Sequence, residues 1–106
     1  MKTVHSSALK EITRRLVAEL EPEQIILFGS HALGTPDEDS DVDLLVIVPH
    51  SEDKPARRAV RAYRCLRGLM VPTDILVKTR AEVERFCSVH ASLESEILER
   101  GKVLYG

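Results

Sequence analysis

Two aspartates two residues apart, Asp41 and Asp43, stand before the apolar run Leu44-Leu45-Val46-Ile47-Val48, and that spacing can hold a divalent cation. A strand sends alternate side chains to opposite faces, so both carboxylates point the same way, with Cα atoms about 6–7 Å apart. Like charges at the mouth of a buried strand raise each other's pKa unless a cation neutralises them. Oxygen-only ligands suit Mg²⁺, which takes one or two carboxylates and completes its shell with waters and substrate phosphates. A solvated acidic loop, Asp37-Glu38-Asp39-Ser40 running into a strand, would show the same residues. What favours the metal reading lies upstream. Gly29-Ser30-His31-Ala32-Leu33-Gly34 follows the strand-like run Gln24-Ile25-Ile26-Leu27-Phe28. Gly29 lets the backbone come close to a ligand, and Ser30 with the following amides offers donors to phosphate oxygens where His31-Ala32-Leu33 opens a short helix. A phosphate-cradling turn joined to paired carboxylates points to metal-assisted chemistry on a nucleotide.

A third carboxylate belongs to Pro72-Thr73-Asp74-Ile75-Leu76-Val77-Lys78. Read as a strand, this segment puts Asp74, Leu76 and Lys78 on one face and Ile75 and Val77 on the other. If it lies beside the Asp41–Val48 strand, Asp74 reaches the Asp41/Asp43 pair and shares its metals. By itself, an exposed aspartate near the start of a strand would carry no function.

With these residues in view, the chain resembles the nucleotidyltransferase superfamily related to DNA polymerase beta, and most closely its minimal nucleotidyltransferase (MNT) branch. The pattern is Gly29-Ser30, ten intervening residues, Asp41-x-Asp43, then a strand-borne Asp74. The closing Glu99-Arg100-Gly101-Lys102-Val103-Leu104-Tyr105 also looks like that branch. One position departs: members often carry Arg where this chain has Leu33, so a basic residue near the triphosphate is missing. The resemblance implies ATP as substrate and two Mg²⁺ ions held by Asp41, Asp43 and Asp74, which are also the catalytic residues, with Gly29 and Ser30 binding the nucleotide. It implies an acceptor as well. Small MNT proteins commonly act as antitoxins beside a HEPN-domain ribonuclease and modify a tyrosine on that toxin.

The remaining sequence must position these groups. At 106 residues, one minimal nucleotidyltransferase domain over 1–106 is expected, too short for a separate acceptor-binding domain. The acceptor site would then come from a partner or from a homodimer. A net charge of -2 marks no general nucleic-acid binder. No apolar run spans a membrane and no signal-peptide pattern is present, so the cytoplasm is expected. Cys65 and Cys87 lack metal-ligand spacing and read as reduced thiols on helices.

The elements alternate as in an α/β (α+β) fold, a small mixed sheet flanked by helices. His5 to Leu20 places Leu9, Ile12, Leu16, Val17 and Leu20 on one helical stripe ended by Pro22. Strands are expected over Gln24–Phe28, Asp41–Val48 and Pro72–Lys78, and a helix over Pro55–Met70, with Gly68 near its end. Val60, Leu66, Leu69 and Met70 are assigned to its core face. Thr79 and Glu82 form a capping-box signal for a helix to Cys87. A last helix over Ala91–Arg100 stops at Gly101, and Lys102–Tyr105 can add an edge strand. Arg57, Arg58, Arg61, Arg64 and Arg67 make a dense positive cluster, read as a solvated face with local ion pairs. Arg85 and His90 have the Arg-x4-His spacing of HEPN ribonucleases, but so short a pattern in an α/β chain is treated as chance.

The expected activity is transfer of a nucleoside monophosphate, AMP from ATP, to a hydroxyl. Two other functions remain open: an inert MNT-fold module that neutralises a toxin by contact, and transfer to a small molecule such as an aminoglycoside.

Overall fold

The structure, a computed structural model, describes residues 6–29, 42–51, 54–69, 71–87 and 93–106. It begins with helix α1 (Ser6–Leu20). Ile12 and Leu16 are fully buried and Leu9, Val17 and Leu20 pack beside them, as the stripe requires. The helix closes on Glu21, whose φ of +48° is the left-handed C-terminal turn, with its N–H on the Val17 carbonyl at 3.0 Å and Pro22 next to prevent continuation.

Among the described residues four strands follow: β1 (Gln24–Phe28), β2 (Val42–Val48), β3 (Thr73–Thr79) and β4 (Lys102–Tyr105). They form one mixed sheet in the order β3-β2-β1-β4. β2 is antiparallel to β1, from Gln24 opposite Ile47 to Phe28 opposite Asp43, and parallel to β3, from Val42 beside Thr73 to Val48 beside Thr79. β4 pairs antiparallel with the other side of β1. Covered on both faces, β2 is buried throughout except at Asp43, which explains its nearly unbroken apolar sequence.

Helix α2 (Pro55–Cys65) carries the chain from β2 across to the parallel β3. Ile12, Leu16, Ala62 and Leu66 cover one face of the sheet, packing on Ile25, Leu27, Leu44, Val46, Ile75 and Val77. The other face, with Ile26, Leu45 and Ile47, is covered by Val83 of α3 (Arg80–Cys87) and Ile97 of α4 (Leu93–Arg100). The capping box is formed reciprocally: Glu82 N–H donates to Thr79 Oγ1 at 3.1 Å and Thr79 N–H donates to Glu82 Oε1 at 2.8 Å. No helix among the described residues is long and apolar enough to cross a membrane.

The structure corrects α2 in two respects. Its helix ends at Cys65, short of Met70. The N–H groups of Leu66, Arg67 and Leu69 bond three residues back instead of four, and Gly68 adopts φ +94°, so the backbone tightens into turns while the apolar spacing continues. Val60, assigned to the core, is 52% exposed, whereas Arg58 is only 6% exposed. The helix turns that arginine inward because its guanidinium finds polar partners there. It donates to the Val77 carbonyl at 3.2 Å and to both oxygens of Glu82 at 2.7 and 3.3 Å. The Arg58 hydrogen bonds, with a smaller contribution from the Thr79 amide, hold the Glu82 carboxyl down at about 2. The solvated ion-pair reading does hold for Arg61, which meets Glu19 at 3.1 Å on the outer face. Cys65 is a free thiol, and burial pushes its pKa up.

Candidate active site

Asp43 and Asp74 are direct partners in the β2–β3 register. Neighbouring strands run about 4.8 Å apart and laterally paired residues point to the same face, so the two carboxylates stand side by side. They share that face with Leu45 and Leu76, at the end of the sheet where both strands begin. Asp43 is half-buried and Asp74 exposed. On the other flank of β2, Phe28 is Asp43's antiparallel partner and Gly29 follows it. Gly29 takes φ +76°, and a Cβ built on it would collide with Asp43 Oδ2 and come within 3.2 Å of Asp43 Cγ. The Asp43 carboxylate therefore lies directly against the Gly29 backbone, an approach only glycine permits.

The Asp74 carboxylate is held from the sheet edge. Tyr63, near the C-terminal end of α2, donates its hydroxyl proton to Asp74 Oδ1 at 3.2 Å and accepts the Ile75 N–H at 2.9 Å. Tyr63 was not singled out in the sequence. Its role depends on how α2 lies along β3, which no local pattern reveals.

Of the five residues singled out for chemistry, the structure brings together Gly29, Asp43 and Asp74; Ser30 and Asp41 lie outside the described residues, as do His31 and Leu33. Among the described residues, no three His, Cys, Asp or Glu side chains form a metal-binding group. Asp43 and Asp74 nevertheless supply the hard, all-oxygen donors that Mg²⁺ takes, with the Gly29 backbone directly against the Asp43 carboxylate. Elsewhere, Glu19, Ala56, Arg57, Val60, Arg61 and Arg64 line a concavity of about 560 Å³ on the outside of α1 and α2.

The mixed sheet thus sets the Gly29 turn against Asp43, with Asp74 beside it on the neighbouring strand. Residues 7–104 match the nucleotidyltransferase domain family, and the chain belongs to that family. Among solved structures it is similar to a candidate nucleotidyltransferase from Sulfolobus solfataricus, at 26% identity over 80% of this chain and 85% of that one, with a TM-score of 0.51. It also shares the fold of a chain in a toxin–antitoxin structure containing AMP-PNP, at 23% identity over 92% of this chain and 72% of the other, with a TM-score of 0.64. No curated protein matches the chain significantly. The family match and the mixed sheet bear out the family and fold expected from the sequence.

Proposed function

We propose that this chain is a Mg²⁺-dependent nucleotidyltransferase that moves AMP from ATP to a hydroxyl, on a tyrosine of a HEPN-type toxin, and so acts as an antitoxin in the cytoplasm. The observation that carries the reading is the lateral pairing of Asp43 with Asp74 beside the Gly29 turn. Support for ATP and for a toxin partner comes from the fold neighbour, a toxin–antitoxin structure holding AMP-PNP. Residues 1–106 act as one domain, and the partner contributes the acceptor.

In this reading Gly29 and Ser30 hold the β- and γ-phosphates through backbone amides and the Ser30 hydroxyl. Asp41 and Asp43 would hold two metal ions, and Asp74 would complete the second site and receive the proton of the acceptor hydroxyl. Mg²⁺ held by these carboxylates would supply charge neutralisation at the phosphates during in-line displacement. The acceptor oxygen bonds to the α-phosphorus, the α–β bridge breaks, and pyrophosphate leaves.

The test is to purify the chain together with the protein it binds in its native host, add ATP and Mg²⁺, and measure the partner's intact mass. Gain of one or more AMP units is expected. A stable complex of unchanged mass would contradict transfer and favour neutralisation by contact.

A further inference from the structure

Tyr63 is exposed, yet its hydroxyl makes two directed hydrogen bonds on the outer edge of β3. The Ile75 amide can only donate and the Asp74 carboxylate can only accept. The phenol oxygen must therefore receive the amide proton and send its own proton to Asp74 Oδ1. We propose that Tyr63 is a positioning residue that fixes the Asp74 carboxylate for metal, turning Oδ2 toward the place beside Asp43 where a cation would bind. The inference rests on the active-site reading above.

Two further observations support it. Asp74 is an exposed side chain on an edge strand, so without a tether its carboxylate would sample several rotamers, and ordering it would fall to the metal. The tether itself is rigid because α2 is fastened to β3 at a second point. Arg58 bonds the Val77 carbonyl and Glu82, while Tyr63 bonds Ile75 and Asp74. Five helical residues rise about 7.5 Å, and the two strand residues from Val77 to Ile75 span about 6.6 Å. The helix thus runs against β3 with matched spacing, and its inner arginine sets the height of its tyrosine. An outer partner that orients a metal ligand in this way typically changes metal affinity or activity by about 10–100-fold when removed.

Tyr63→Phe keeps the ring and removes only the hydroxyl. Mn²⁺ binding followed by electron paramagnetic resonance, together with kcat and KM for MgATP, tests the proposal. The expected result is a folded variant with Mn²⁺ affinity weakened about 10-fold or more, a comparable fall in kcat, and little change in KM for ATP. In an Asp74→Asn background, Tyr63→Phe should have no additional effect on Mn²⁺ affinity, because the carboxylate it orients is gone. Wild-type Mn²⁺ affinity and kcat in Tyr63→Phe would overturn the positioning role while leaving the transferase reading intact. Conversely, weakened Mn²⁺ binding in Tyr63→Phe, with no transfer by the wild-type protein, would support positioning and contradict the transferase reading.

Discussion

At its C-terminal end, β3 meets Arg58, whose buried guanidinium spans Glu82 and the Val77 carbonyl. At its N-terminal end the same strand sets Asp74 beside Asp43, like charge against like. The first arrangement satisfies a desolvated cation with a carboxylate and a backbone oxygen, and its chemistry is complete within the protein. The second places two carboxylates together with a glycine turn against one of them. Carboxylates paired in this way repel, so the arrangement gains most from a bound cation. One end of the strand closes its charges within the fold and the other carries the proposed site, which predicts that substitutions at the two ends will affect different measurements.

The largest effect should come at the ligand end. Asp74→Asn is expected to retain most MgATP binding and partner assembly but to slow transfer roughly 10³-fold or more, because charge stabilisation and positioning supply most of the rate in phosphoryl chemistry. Single-turnover transfer would measure it. In metal-free buffer the same variant should be as stable as wild type or slightly more so, since repulsion is relieved.

The reverse pattern is expected at the other end. Glu82→Ala leaves the Arg58 guanidinium buried without the carboxylate that takes two of its hydrogen bonds and should cost about 3 kcal/mol, the low end for a broken buried pair because Glu82 retains some exposure. Urea unfolding would report the loss. Gly29→Val should fall between the two classes. The branched side chain meets the Asp43 carboxylate and resists φ +76°, so a loss of about 1–3 kcal/mol in stability is expected together with weakened ATP binding by calorimetry.

The smallest effect is a pH dependence. The Arg58 hydrogen bonds hold Glu82 at about 2 against an ordinary 4.5. A depressed carboxyl stabilises the fold above its unfolded pKa, and that stability is lost as pH falls from about 4.5 through about 2. Glu11, held at about 2 by Arg14 and Arg15 on α1, acts in the same window. Urea midpoints from pH 5 downward should therefore decline less steeply in Glu82→Gln than in wild type, without becoming flat.

What the sequence disclosed follows the same division. The Thr79/Glu82 capping box, the buried run of β2 and the alternation placing Asp74 opposite Ile75 are short-range patterns, and each has its counterpart in the structure. The Asp43–Asp74 pairing was conditional on β2 and β3 being neighbours, and their register supplies that condition. Arg58, Val60 and Tyr63 were not legible. Arg58 belongs on the inner face of α2 because the Val77 carbonyl and Glu82, 19 and 24 residues later, receive its guanidinium. Once the helix is rotated to bury Arg58 and Ala62, Val60 faces outward. Tyr63 gains its role from a strand edge that local periodicity cannot reveal. Ser30 and Asp41, singled out from spacing alone, lie outside the described residues.

The central claim is that the paired carboxylates transfer a nucleotide and do not merely support a docking surface. It is tested most directly by the intact mass of the copurified partner after incubation with ATP and Mg²⁺, comparing wild type with Asp74→Asn. The account predicts AMP units on the partner with wild type, and an assembled but unmodified partner with Asp74→Asn. An unmodified partner in both complexes, with the toxin still neutralised, would contradict it.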